Sequence, residues 1–79
     1  MSTPQQMPPI EQWESCLVEW IWNQDSIGLY MPDGRTTQNR GSYLDVARLL
    51  TQLGSQGWEV ATCAGTGNWL LWTLKRRAG

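Results

Sequence analysis

Residues 42–58 read SYLDVARLLTQLGSQGW and carry the clearest secondary-structure signal in the chain. Ser42 is a residue type that caps helix N-termini, and Asp45 lies three residues later, where a capping-box partner belongs. Apolar residues then follow at helical spacing, at Val46, Ala47, Leu49, Leu50 and Leu53. Gly54 can take the left-handed conformation that commonly follows a helix, so the stretch predicts one helix that ends at Leu53.

Strand patterns lie on both sides of this helix. Runs rich in β-forming residues predict strands at Trp13–Asn23, Ser26–Met31, Arg35–Asn39, Trp58–Ala64 and Trp69–Arg76. Pro32-Asp33-Gly34 predicts a tight turn between the second and third strands, and Gly65-Thr66-Gly67-Asn68 predicts a hairpin loop between the last two. The expected fold is α+β, a small antiparallel β-sheet of three to five strands packed on one α-helix.

The chain has 79 residues, enough for one small domain with a marginal core. We expect this domain over residues 12–77, preceded by a disordered or extended N-terminal arm over residues 1–11. The arm has neither the basic start nor the apolar run of a signal peptide. The apolar run at Trp69–Trp72 is too short to span a bilayer. No membrane contact is therefore expected, and a cytoplasmic location is the default expectation.

Charge and residue content exclude several classes of protein. The formal charge is −1, which argues against a duplex DNA-binding protein because such proteins need a positive surface. The chain has no His, the commonest general base and metal ligand. Its two cysteines, Cys16 and Cys63, cannot supply the four ligands of a structural zinc site, so no metal and no cofactor are expected. We predict that both are free, buried thiols in a reducing compartment.

The remaining polar residues give weak support for catalysis. Cys16 or Cys63 would need an adjacent base to act as a nucleophile, and the available bases are Glu19 and Glu59. These two carboxylates also lack a spacing that is diagnostic of acid–base chemistry. Gly65-Thr66-Gly67 has the composition of a phosphate loop, but no helix follows it. The sequence therefore predicts a protein that is not an enzyme.

The predicted strands carry apolar side chains on both faces of the sheet, because alternate residues of a strand point in opposite directions. In the first strand, one set is Cys16, Val18, Trp20 and Trp22, and the opposing set is Trp13, Leu17 and Ile21. In the last strand, Leu70, Trp72 and Leu74 oppose Trp69 and Leu71. One helix can cover only one face. The second face needs the N-terminal arm, the hairpin over residues 26–39 or a second copy of the chain.

A second copy is the favoured cover for this face. Each Trp can bury roughly 150–250 Å², and covering two or three Trp and Leu side chains yields several kcal/mol before costs. We therefore predict a homodimer or higher homo-oligomer, an interaction module that binds through an apolar, Trp-bearing sheet face or edge. The expected contact residues are Trp20, Trp22, Trp69 and Leu71.

Single-stranded nucleic-acid binding is the alternative prediction. Exposed Trp side chains can stack on bases while basic residues follow the phosphate backbone. The candidate basic residues are Arg40, Lys75, Arg76 and Arg77. Because the chain is close to neutral overall, nucleic acid is the less favoured partner.

Residues 50–60, LTQLGSQGWEV, resemble the signature of a family of short bacterial proteins of unknown function. In that family a helix ends in Leu-Gly-x-x-Gly-Trp-Glu, and the last strand of the following hairpin ends in Lys-Arg, as Lys75-Arg76 does here. The resemblance spans Trp13–Arg76 and implies a bacterial protein with a strand, helix and hairpin layout. It implies no activity. We interpret the motif as structural, with Gly54 ending the helix and Trp58 anchoring the next strand against it.

Overall fold

The computed structural model describes residues 12–78, and its elements confirm the α+β prediction. In chain order they are β1 (Trp13–Ile21), β2 (Ser26–Tyr30), β3 (Thr36–Arg40), α1 (Tyr43–Ser55), β4 (Glu59–Thr66) and β5 (Trp69–Arg77). A 3-10 turn over Trp22–Gln24 follows β1, so the prediction that the first strand reaches Asn23 is wrong. Asp25, in the left-handed region at φ 49°, completes the reversal into β2. The predicted arm over residues 1–11 lies outside the described residues.

The five strands form one open antiparallel sheet in the order β3-β2-β1-β5-β4. Central strand β1 pairs with β2 on one side, and with β5 on the other along its whole length, from Trp13 opposite Arg77 to Ile21 opposite Trp69. The predicted hairpin is confirmed as β2–β3, and it extends the sheet sideways. The hairpin therefore does not fold back over the second face of the sheet.

The backbone passes close to the sheet at Gly41, just before helix α1 begins. Gly41 packs so tightly that a Cβ atom there would lie 2.6 Å from Cδ1 of Ile27. The next residue confirms the predicted cap, since the backbone N–H of Ser42 donates to Oδ2 of Asp45 at 2.9 Å. The first helical carbonyl bond follows, from the N–H of Val46 to the carbonyl of Ser42 at 3.1 Å.

The C-terminus of α1 differs from the prediction. The helix continues through Gly54, and the left-handed position is taken by Gly57 at φ 92°. The N–H of Trp58 donates to the carbonyl of Leu53 at 3.1 Å, and the N–H of Gly57 donates to that of Gly54 at 3.0 Å. This is the Schellman arrangement, which satisfies the last helical carbonyls. No helix between residues 12 and 78 is long and apolar enough to cross a membrane.

The core lies between α1 and one face of the sheet. Its buried residues are Cys16, Val18, Ile27, Val46, Leu53, Trp58 and Leu74. Trp58 packs in this cluster at the start of β4, but its indole Nε1 has no hydrogen-bond partner among the described residues. Both cysteines are free, as predicted, but Cys63 is exposed and only Cys16 is buried.

Candidate interaction surface

The strand register divides the molecule into two faces, because cross-strand partners place their side chains on the same side of a sheet. The helix face carries the buried Cys16 and Val18, which lie opposite Leu74 and Trp72. No helix within residues 12–78 lies over the opposite side of the sheet, and we call this side the open face. On β1, β2 and β5 its large side chains are Trp13, Leu17, Glu19, Ile21, Tyr30, Trp69, Leu71, Lys75 and Arg77.

A carboxylate lies at the centre of the open face and joins three strands. The hydroxyl of Tyr30 on β2 donates to Oε1 of Glu19 on β1 at 3.0 Å. The indole Nε1 of Trp69 on β5 donates to Oε2 of the same carboxylate at 2.8 Å. The ring of Tyr30 lies over Gly28, where a Cβ atom would be 3.0 Å from the ring. Both oxygens of Glu19 are thus hydrogen-bonded to side chains of the neighbouring strands.

One end of the open face is an aromatic and charged cluster. The ammonium of Lys75 lies 4.6 Å from the centroid of the Trp13 ring, and the guanidinium of Arg77 lies 5.9 Å from it. Nζ of Lys75 is also 3.6 Å from Oε1 of Glu59 on the neighbouring strand β4. Trp13 keeps 46% of its surface exposed, so this end presents an aromatic ring held between cations.

The structure separates the four predicted contact residues. Trp69 and Leu71 lie on the open face. Trp20 lies on the helix face, where it packs against the core and its indole Nε1 donates to the carbonyl of Gly41 at 3.3 Å. Trp22 lies in the 3-10 turn and is 48% exposed. Sequence reasoning could not show which face α1 covers, and for that reason it grouped residues from both.

Other open-face residues were absent from the predicted contact set. Leu17, Ile21 and Trp13 share the open face with Trp69, and the alternation along β1 already set them apart from Cys16. This alternation was the signal that could have found them: the whole alternate set of β1 had to be chosen, and not individual Trp residues. The sequence pattern singled out Glu19 only as a candidate base and did not point to Tyr30, because the contact between them joins different strands.

The four basic candidates for nucleic-acid contact do not share one surface. Lys75 and Arg77 belong to the open face, and so does Arg40 at the end of edge strand β3, because Arg40 lies opposite Ser26 and Ser26 lies opposite Ile21. Arg76 lies on the helix face, where its Nε donates to Oε1 of Glu14. The guanidinium of Arg76 also stacks over the buried Trp58 ring at 4.4 Å and donates from Nη1 to the Gln56 carbonyl at 3.1 Å. It thus ties β5 to β1 and to the end of α1.

The candidate catalytic residues are also apart. A bulge between Val60 and Thr62 breaks the alternation of β4, so Cys63 lies opposite Trp72 on the helix face while Glu59 lies opposite Lys75 on the open face. Within residues 12–78, no group of three or more acidic or cysteine side chains could hold a metal ion. The hairpin predicted here is confirmed, but its loop is shorter than predicted: Gly65 and Thr66 belong to β4, and only Gly67 and Asn68 form the turn.

A small cleft lies between α1 and the β2–β3 hairpin. It has a volume of about 250 Å³, with Leu29, Met31, Leu49 and Leu53 among its apolar lining residues. This volume is below the range of ~300–1,000 Å³ that is usual for ligand pockets. The open face is therefore a better candidate for a functional surface than this cleft is.

No protein-family model, curated protein or solved structure matches this chain. The resemblance of residues 50–60 to a family of short bacterial proteins stays a prediction. The function proposed below accordingly depends on the geometry and chemistry of the open face.

Proposed function

We propose that this chain is a non-enzymatic interaction module that associates with a second copy of itself through the open face. The observation that carries the proposal is the position of α1, whose apolar residues pack against one face of the sheet only. The open face presents Leu17, Ile21 and Leu71 between Trp13 and Trp69. Removal of such apolar surface from water is the main driving force for protein association.

The open face has the size that a stable dimer needs. The five strands have nine, five, five, eight and nine residues in chain order. A rise of ~3.4 Å per residue and a strand spacing of ~4.8 Å then give a face of about 600 Å². This area is at the lower end of the ~600–1,000 Å² that each partner buries in a specific interface. A second copy supplies a flat surface of matching dimensions, since two sheets pack face to face with their side chains interdigitated.

The charge distribution on this face is compatible with self-association. Lys75, Arg77 and Glu59 lie at one end, and Arg40 lies at the opposite end of the sheet. The rim thus carries both signs of charge, and the apolar side chains lie between its ends around the hydrogen-bonded Glu19. The central Glu19 already accepts two hydrogen bonds, so its oxygens keep partners when water leaves.

We extend the proposal to the cellular context. The free thiols of Cys16 and exposed Cys63 suit a reducing compartment, and a cytoplasmic location is proposed on that basis. A bacterial source is proposed from the resemblance of residues 50–60 alone.

Single-stranded nucleic-acid binding has less support than self-association. Arg76 is engaged with Glu14 and Trp58 on the helix face, and the ammonium of Lys75 lies between Trp13 and Glu59. Titration with single-stranded oligonucleotides at low salt, followed by Trp fluorescence, separates the two functions. Salt-sensitive quenching would favour nucleic acid, whereas unchanged fluorescence agrees with the interaction module.

The substitution Leu71→Lys tests the open face. It places a charge in the centre of the proposed interface, where desolvation is costly, while Glu19 opposite gives the new ammonium a partner in the single chain. We expect the molar mass in sedimentation experiments to fall to half that of the unmodified chain. Leu44→Lys is the matched control, since Leu44 on α1 is 52% exposed, and it should keep the original mass.

Folding is checked separately for each variant by circular dichroism. If Leu71→Lys fails to fold, Leu17→Thr keeps a strand-forming residue at another central position of the same face and should also lower the mass. An unchanged mass in folded open-face variants would contradict the proposal. The open face would then have to be covered by another protein or by residues 1–11.

A further inference from the structure

Strand β4 is an edge of the sheet with one unpaired side. Among residues 12–78, β4 pairs only with β5, and it is the last strand in the sheet order. All eight of its residues are exposed, so neither α1 nor another segment within residues 12–78 covers it. The unpaired N–H and C=O groups of such an edge are a template for another strand.

The two edges of the sheet differ in how they are protected. β3 has five residues, all polar, and ends in Arg40. β4 reads EVATCAGT, and its single charge is Glu59 at the first position. Proteins usually block edges with lysine, proline, bulges or short strands. The bulge of β4 lies between Val60 and Thr62 near its start, so the part from Thr62 to Thr66 is regular and has no lysine, proline or bulge.

We propose that β4 pairs antiparallel with β4 of a second copy, which joins the two sheets into one continuous sheet. The position of Glu59 favours this partner and this direction. Antiparallel pairing places the two Glu59 carboxylates at opposite ends of the paired segment, whereas parallel pairing would put them side by side and in repulsion. The uncharged stretch from Val60 to Thr66 pairs with itself without a charge conflict.

The symmetry of this contact has a testable consequence. An antiparallel contact between identical edges has a twofold axis perpendicular to the sheet, so one residue of β4 lies directly opposite its own copy. The open faces of the two copies then lie on the same side of the joined sheet. The contact uses main-chain groups of β4, so it is separate from the open-face contact and does not need it.

Disulfide cross-linking along β4 locates the axis. The unmodified chain supplies a cysteine at position 63, and Thr62→Cys, Ala64→Cys and Thr66→Cys supply the others in a Cys63→Ser background. Side chains opposite each other have Cβ atoms ~4.5–5.5 Å apart, while diagonal neighbours are ~7–8 Å apart. Mild oxidation should therefore yield a cross-linked dimer at one position, about tenfold above the positions beside it, because a disulfide tolerates only short Cβ separations.

The matched control is Thr37→Cys in the same Cys63→Ser background, at an exposed site on the opposite edge strand β3. It measures cross-linking by random collision. Equal cross-linking along β4, or a level no higher than that of Thr37→Cys, would overturn the proposal. Repeating the series with Leu71→Lys separates the two contacts: the peak on β4 should persist when the open-face contact is lost.

Discussion

Arg76 shows how one side chain can serve the fold. Its guanidinium contacts the Glu14 carboxylate, the Gln56 carbonyl and the face of Trp58. Glu14 lies on β1, Gln56 is the C-cap residue of α1, and Trp58 directly precedes β4. In the sequence, Arg76 was one of a basic run and was interpreted as a possible ligand contact. Its neighbours in space, which the run does not show, make it a structural residue.

Arg76→Ala should lower the free energy of unfolding by about 1–2 kcal/mol, since it removes a partly exposed, charge-assisted contact and a cation–π contact. Arg76→Lys should recover only part of the loss, because an ammonium cannot present the planar guanidinium to its partners. Urea denaturation measures both. Arg40→Ala, at an exposed position of β3, is the control and should stay within about 0.5 kcal/mol. A loss for Arg40→Ala as large as that for Arg76→Ala would contradict this role.

Cys16 lowers the stability of the folded chain at alkaline pH. Burial raises the pKa of its thiol, an effect that the nearby Arg76 partly offsets. The unfolded chain therefore ionises this thiol at a lower pH than the folded chain does. The contribution of the neutral thiol is complete below the ordinary thiol pKa and is lost as the pH rises through the folded value.

Urea midpoints measured from neutral to alkaline pH check this prediction. Cys16→Ala should reduce the alkaline loss of stability, whereas Cys63→Ser should leave it unchanged because Cys63 is exposed. The same alkaline loss in both variants would show that another group is responsible.

The strands and the helix differ in how well the local sequence predicts their existence and their ends. Alternation and turn residues predict all five strands and the β2–β3 hairpin, because these signals are local. The end of α1 was misplaced because Gly54 and Gly57 are both compatible with a helix terminus, and only packing of Trp58 beside Leu53 decides between them. The bulge of β4 was not predicted, since an inserted residue has no required type.

Two alanine substitutions test this assignment of the helix end. Gly54→Ala should raise the free energy of unfolding by about 0.5–1 kcal/mol, because Gly54 is helical and has open space around its Cβ position. Gly57→Ala should lower it by about 1–2 kcal/mol, because its φ of 92° is unfavourable for a residue with a Cβ atom. Thermal denaturation compares the stabilities of the two variants. If Gly54→Ala were the less stable of the two, the left-handed residue would be Gly54 and the assignment would be wrong.

At the scale of the whole molecule, the sequence predicts that both faces of the sheet are apolar, but it does not predict which of the two faces α1 covers. The alternation of β1 and β5 shows that both faces carry large side chains, and the structure shows α1 on the face of Cys16 and Val18. Trp69 and Leu71 therefore belong to the open face, and Trp20 does not. The link from Tyr30 and Trp69 to Glu19 needs the register of three strands, which no local pattern encodes.

Self-association is the claim on which the proposed function depends, and the molar mass of the unmodified chain tests it most directly. Light scattering over a dilution series should give at least twice the 9.0 kDa of one chain at high concentration and should approach 9.0 kDa on dilution. A mass of 9.0 kDa at every concentration would contradict the account, because no second copy would then cover the open face.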